Sequence, residues 1–409
     1  MMRIGIVMSH PFHSSLGTTV RVMELAYSLS KRGIEVYIFS PFEISRSLGE
    51  LIHIRRVSTD ASKFGFSDVV YNIFRSMFNN AFLGRKLAFK EFTLNTSINV
   101  LADGLINSLR GVALDAIQGE QEIASLACLR IGKKLGIPVV ADLHNIWAEE
   151  AVASGIIERN DHQFKTLQKF ENEIINEADM IVVVSEEMKK YIKNENVSSE
   201  NRVVVVPNGS RVKVQKAEYN DKPSKVVYAG QLAYREHVDL YLRSMSRVAK
   251  GFPSVKFYLV GKGENEKSLK RFASNFTVKP EFKWFHPVNE KDEFFNFLSS
   301  CHVGVLPSTN DIARQMGYPL KLFDYLSVGL PVVANDIGAW TRIISENRVG
   351  VLTKDDPQSF ADGILEFLKD PTLLHACGER GINLIKTKFN WDFSAEILLN
   401  LYKAIEQKS

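Results

Sequence analysis

Residues 319–336 read PLKLFDYLSVGLPVVAND, and the fold follows from how this stretch divides. Pro319 suits the first turn of a helix, where its missing N–H is not needed. Leu320, Phe323, Leu326 and Ser327 recur at helical spacing, and Gly329 supplies the stop. Leu330 to Ala334 is then a short apolar run bounded by turn residues, as a buried parallel strand requires. A short helix of this kind turns free N–H groups and a positive dipole end toward an anion. Lys321 and Asp324 lie three apart and share a face of it. A cation for phosphate thus stands beside a carboxylate for hydroxyl groups.

The same grammar runs outward in both directions. The chain opens with a strand at Arg3–Met8, the loop SHPFHSSLGT, a helix from Thr18 to Lys31 stopped by Gly33, and a strand at Val36–Ser40. Further strands are expected at Ala116–Gln118, Pro138–Leu143, Met180–Val184 and Val203–Val206, with helices at Ile123–Leu135 and Gln163–Asn176. The second half restarts at Lys225–Ala229 and continues through strands at Lys256–Val260, Lys283–Phe285 and His302–Leu306, with helices between. A polar, aperiodic linker at 214–224, VQKAEYNDKPS, separates the halves. The expectation is an α/β protein of two tandem, Rossmann-like, doubly wound domains with a ligand crevice between them. They span residues 1–213 and 225–390. A C-terminal helix, 391–409, follows, for which packing back on the N-terminal domain is one option.

Length and composition agree with that. At 409 residues the chain exceeds one ordinary core. A net charge of +4 suits an anionic ligand or an anionic membrane surface and selects neither. Three separated cysteines, Cys128, Cys301 and Cys377, point to free thiols in a reducing compartment. No apolar run approaches the ~18 residues of a spanning helix, and MMRIGIVMSH reads as a strand and not as a signal peptide. A cytoplasmic location, with the inner face of the membrane as an option, is expected.

One segment breaks the pattern. Phe64, Phe66, Tyr71, Phe74, Phe78, Phe82, Phe89 and Phe92 are interleaved with Arg75, Arg85, Lys86 and Lys90. Residues 64–92 read either as an ordinary core-facing helix or as a membrane-contacting surface or groove for a lipid-linked acceptor.

Eight stretches in order carry a resemblance to a known family. They are the first loop with Gly17, ADLHNIW (141–147), ADMIVVVSEEMKKYI (178–192), VVVVPNGS (203–210), VVYAGQLAYREHVDLYL (226–242), FYLVGKGENEKSLK (257–270), VGVLPST (303–309) and the opening stretch. Together they resemble the retaining glycosyltransferases of family 4, the sucrose-synthase and mannosyltransferase group with GT-B architecture. The resemblance implies transfer of a sugar from a nucleoside diphosphate sugar to a hydroxyl of a glycan or lipid-linked acceptor. It implies no nucleic-acid partner. The donor is a substrate, so no cofactor is expected. No D-x-D pair or His/Asp/Glu cluster has metal spacing, so a metal-independent site is expected, with helix dipole and cations meeting the charge.

By the same resemblance, Asp324 would hold the ribose hydroxyls, and His144 would face the reacting sugar with Asp142 beside it. The acid that touches the sugar in the family falls on Met316 by spacing, and on Asp311 when counted from VLPST. A loop-capping role for Asp311 is the equal alternative. The family's diphosphate-binding arginine and lysine fall on Gln231 and Glu236, leaving Lys321, Arg235 and Arg314 as the available cations. Gly17, Gly230, Gly261, Gly263, Pro287 and the amides of Leu320 and Leu322 complete the expected donor site. Glu149 and Glu150 are weaker candidates for an acceptor contact. The missing arginine and lysine also admit an inactive, glycosyltransferase-like binding or scaffold subunit. A sugar-nucleotide epimerase of similar architecture is the other alternative.

Overall fold

The computed structural model describes residues 1–9, 17–42, 49–58, 89–195, 201–211, 224–285 and 291–407. Thirteen strands form two wholly parallel sheets among these residues. In the first, β1 (Arg3–Met8), β2 (Glu35–Ser40), β3 (Ile52–Arg56), β4 (Ala116–Glu120), β5 (Val139–Leu143), β6 (Met180–Val183) and β7 (Val203–Val205) stand in the order β3-β2-β1-β4-β5-β6-β7. In the second, β8 (Lys225–Ala229), β9 (Lys256–Val260), β10 (Glu281–Lys283), β11 (Val303–Leu306), β12 (Val332–Asn335) and β13 (Gly350–Thr353) stand in the order β10-β9-β8-β11-β12-β13. Runs such as the buried IVV of β6 are apolar throughout because such strands are covered on both faces.

The second sheet shows how the two faces are filled. Val226 and Tyr228 of β8 pack into one cluster with Leu242, Met245 and Phe360, whereas their neighbours Val227 and Ala229 join the other with Leu298, Leu322 and Leu326. Successive side chains point to opposite faces, so the helices Val238–Gly251 and Pro357–Lys369 cover one side. Lys291–Ser299 and Leu320–Ser327 cover the other. The chain divides into two compact units, Met1–Pro207 with Ser394–Ser409, and Asn208–Phe393. The last helix, Trp391–Glu406, therefore belongs to the first unit from Ser394 onward.

Several boundaries differ from the sequence expectation. The strand β4 runs two residues past Gln118 and takes in Glu120. Strand β10 is Glu281–Lys283, not Lys283–Phe285; Phe285 lies beyond its end and packs on Phe294 and Phe297. The opening stretch folds as helix Leu320–Ser327, with Pro319 as its cap, and strand β12, starting at Val332. Of the aromatic-basic segment, residues 64–88 lie outside the described residues, as do Pro287 and most of the linker. Phe89 is buried edge-on against Trp147, and Phe92 is 64% exposed. No helix among the described residues is long and apolar enough to cross a membrane.

Each sheet reverses strand order at one place: between β1 and β4 in the first, between β8 and β11 in the second. Loops leave such a point in opposite directions and open a crevice at the strands' C-terminal ends. Both clusters described next sit there.

Candidate functional site

In the first unit, Glu120 and Asp142 are register partners at the ends of β4 and β5, so their carboxylates stand side by side. Both are fully buried. The Arg21 guanidinium donates to both oxygens of Asp142, through Nε at 3.0 Å and Nη2 at 3.1 Å. Gln118 Nε2 donates to Glu120 Oε1 at 2.7 Å and to Asp142 Oδ2 at 3.2 Å. The imidazole of His144 follows, with Nε2 3.3 Å from Glu120 Oε2 and 3.4 Å from Asp142 Oδ1. Its other nitrogen, Nδ1, lies 3.5 Å from Thr18 Oγ1 and 3.5 Å from Gln121 Nε2.

Two positive and two negative groups are thus gathered out of water. Burial opposes charge on His144, but Asp142 and Glu120 outweigh it and push the imidazole up to about 9. Burial also opposes the Asp142 carboxylate, and Arg21 with His144 holds it below the usual range. Burial and the neighbouring Asp142 push Glu120 up. The ring is therefore a cation near neutral pH, with Nε2 at ion-pair distance from both carboxylates but hydrogen-bonded to neither, and the Nδ1 edge turned toward Thr18 and Gln121. Gln121 reaches this place with a positive φ of 64°. A non-glycine residue holds that conformation only where its surroundings impose it, commonly at functional sites.

Glu120, Asp142 and His144 bring three ligand-type atoms within 4.8 Å of one another. Their geometry does not fit a cation site well. Arg21 already forks Asp142, Gln118 binds both carboxylates, and an added ion would face a buried guanidinium.

In the second unit, Glu236 lies at the end of a short 3₁₀ turn, Tyr234–Glu236, after β8. Its Oε2 is hydrogen-bonded by Lys321 Nζ, and its Oε1 by Arg314 Nη2 at 2.5 Å. Lys321 also donates to Tyr228 Oη at 3.0 Å. The Tyr228 hydroxyl itself donates to the Gln231 carbonyl at 2.7 Å. Burial opposes the Glu236 charge, but Lys321 and Arg314 hold the carboxyl far below the usual range. Burial and the adjacent Arg314 lower Arg235 to about 10. Arg314 Nε is buried without a hydrogen-bond partner among the described residues.

Lys321, expected from sequence as one of the replacement cations, reaches Glu236 from the facing helix. Gly230 makes room for this, since a Cβ there would lie 2.9 Å from Lys321 Cε and 3.0 Å from Nζ. Gly261, at φ 147°, would put a Cβ 1.9 Å from the Gly230 carbonyl. Its space, like that of Gly263 beside the Leu232 carbonyl, is filled by backbone and not left for a ligand.

Other expected residues fall as follows. Asp324 accepts from Ser210 Oγ at 3.0 Å, so the PNGS turn fixes one of its oxygens. Asp311 accepts from the Arg314 amide at 3.0 Å, with Thr309 Oγ1 2.8 Å away, which is the loop-capping geometry. The Leu322 amide donates to the Pro319 carbonyl, and its side chain is core. It is therefore no free donor. Leu320 opens the helix, and Gly17 opens helix Gly17–Ser30 after β1. Glu149 is buried and paired with Arg159 at 2.6 Å, away from an acceptor role. Sequence reading missed Glu120, Arg21, Gln118 and Tyr228. Arg21 was the one with a signal: an arginine on the helix face shared by Val22, Leu25 and Leu29 must be buried with a partner.

Comparison with known proteins now bears on both clusters. Residues 16–212 match the profile of glycosyltransferase family 4, and residues 210–384 match that of glycosyl transferases group 1. The chain belongs to the family 4 glycosyltransferases. It is 21% identical over 407 residues to a D-inositol 3-phosphate glycosyltransferase of Paenarthrobacter aurescens, covering 95% of this chain and 92% of that one. Its fold is that of sucrose-phosphate synthase from Thermosynechococcus elongatus, with a TM-score of 0.76, 17% identity and full coverage of both chains. It also matches the E. coli trehalose-6-phosphate protein bound with UDP-2-fluoro glucose, with a TM-score of 0.68, 12% identity and coverage of 98% and 99%. This glycosyltransferase therefore has the two-domain GT-B architecture, and the epimerase alternative falls away.

Proposed function

We propose that this glycosyltransferase moves a sugar from a nucleoside diphosphate sugar to a hydroxyl of a glycan or lipid-linked acceptor, with retention and without a divalent ion. The observation that carries the reading is the cation cluster at the second sheet's switch point. Lys321 and Arg314 share one carboxylate, Arg235 adds a third positive group, and a buried Arg314 N–H is unused. Glu236 and Asp311, with Glu264 near Arg235, balance these three cations in the unliganded protein. Three positive groups gathered in one place suit a diphosphate whose negative charge grows as the sugar leaves.

Asp324, one helical turn from Lys321, offers a carboxylate to adjacent ribose hydroxyls. His144 supplies a cationic N–H to an oxygen of the sugar or acceptor. Held charged near neutral pH, it is unsuited to act as a base, and the acceptor proton would pass to the departing diphosphate oxygen. The enzyme's part is then placement and charge stabilisation.

The test is release of nucleoside diphosphate from a panel of UDP-, GDP- and ADP-sugars, with and without EDTA. Turnover of one donor, unchanged by chelator, is expected. No release from any donor, or loss with EDTA, contradicts the reading. Asp324→Ala is expected to weaken nucleoside diphosphate binding about 10- to 100-fold, the value of a charged hydrogen bond. Calorimetry showing parental affinity would remove Asp324 from the site.

A further inference from the structure

The last helix reaches the His144 cluster by one polar contact. Tyr402 Oη, on a side chain 1% exposed, donates to Gln118 Oε1 at 2.5 Å. Because that hydroxyl occupies the amide oxygen, the Gln118 NH2 is turned toward the carboxylates, where it binds Glu120 and Asp142 together. We propose that Tyr402 is a positioning residue, acting through Gln118 to fix the two carboxylates that hold the His144 ring. The inference rests on the reading that His144 faces the sugar or acceptor, and deepens it.

The argument is one of charge. Glu120 is fully buried, and its pairing with Asp142 already favours protonation. The Gln118 N–H on Oε1 works the other way, favouring the anion. Remove that donor and Glu120 takes a proton. His144 then loses one of its two anionic neighbours and its hold on the charge. The groups facing the ring are Glu120 from β4, Asp142 from β5, Arg21 and Thr18 from helix Gly17–Ser30, and Gln121 and Glu122 from helix Gln121–Leu135. Arg21 stays bound to Asp142 whatever becomes of Gln118. The effect of losing Tyr402 therefore travels mainly through Glu120.

The experiment is an NMR titration of the His144 imidazole in the full chain, assigned by its loss in His144→Asn. In the parent the midpoint is expected at about 9. Gln118→Met should bring it down toward the ordinary 6.5. Tyr402→Phe, which keeps the ring and loses only the hydroxyl, should bring it part of the way. The alkaline limb of kcat should move down with it. Tyr402→Phe is also expected to lower kcat about 3- to 10-fold with donor KM unchanged, the worth of one neutral hydrogen bond.

Both midpoints at the parental value overturn the proposal. So does a shift in Gln118→Met with none in Tyr402→Phe, because the helix would then be a bystander. A purely structural tyrosine would lower the melting temperature and leave the titration alone. If the shifts occur while His144→Asn transfers sugar at the parental rate, the relay stands and the reading of His144 fails.

Discussion

Lys321→Met is expected to lower kcat about 100- to 1,000-fold, the usual effect of removing one donor to developing negative charge, while changing stability by only about 1 kcal/mol. The asymmetry follows from counting charge. Lys321 and Arg314 together offer two positive groups to the single carboxylate of Glu236. Without Lys321, Glu236 and Arg314 remain as a balanced, hydrogen-bonded pair, so folding loses little. Glu236→Gln is the contrasting change. It leaves Lys321 and Arg314 buried without their anion, and losing one side of a buried pair costs about 3–5 kcal/mol. Nucleoside diphosphate should then raise the melting temperature of Glu236→Gln more than that of the parent, because the ligand supplies the lost negative charge.

The pH dependence has a definite sign. The Glu236 carboxyl is held below its ordinary value in the folded state. Its contribution is therefore whole above about pH 4.5 and is lost as acid carries the pH down through the depressed value. In Glu236→Gln that acid-labile part is absent. Denaturant unfolding and initial rates on the three proteins check this. A severe loss of stability in Lys321→Met, or a stable Glu236→Gln indifferent to nucleotide, would refute the charge count.

Arg21→Met should be the most damaging change in the first unit, at about 3–5 kcal/mol. It removes the guanidinium that forks Asp142 and leaves two buried carboxylates facing one imidazolium. One carboxylate then keeps a proton to a higher pH than in the unfolded chain. The folded state binds more protons across that window, so stability falls as pH rises through it. The deficit of the variant should thus shrink toward pH 5 and widen toward pH 8. In the parent, His144 adds stability that is complete below about pH 6.5 and is lost as pH rises through about 9. Unfolding curves for both proteins from pH 5 to 9 measure these effects. A deficit independent of pH would mean that Arg21 matters by packing alone.

The two sheets were legible because parallel strands announce themselves as short apolar runs, and β5, β6, β8, β9 and β11 fell close to where those runs stand. What escaped was the detail that only register supplies. AIQGE looks too polar beyond Gln118 for a buried strand. It is one because Glu120 meets Asp142 and His144, and Gln118 meets Tyr402, partners between 22 and 284 residues away. The pairing of Glu236 with Lys321 was half visible. Sequence gave the odd glutamate and the spare lysine, but their pairing depends on the helix Leu320–Ser327 lying against the loop after β8, beneath a glycine with no Cβ. Asp311 read equally as a sugar contact and as a loop cap, and its oxygens make the capping contacts to Thr309 and the Arg314 amide.

The most direct test is a crystal structure with a bound nucleoside diphosphate. The diphosphate oxygens should lie within hydrogen-bond distance of Lys321 and Arg314, with the ribose hydroxyls on the Asp324 carboxylate. A nucleotide seated elsewhere, with Lys321 and Arg314 still held by Glu236, would contradict the account.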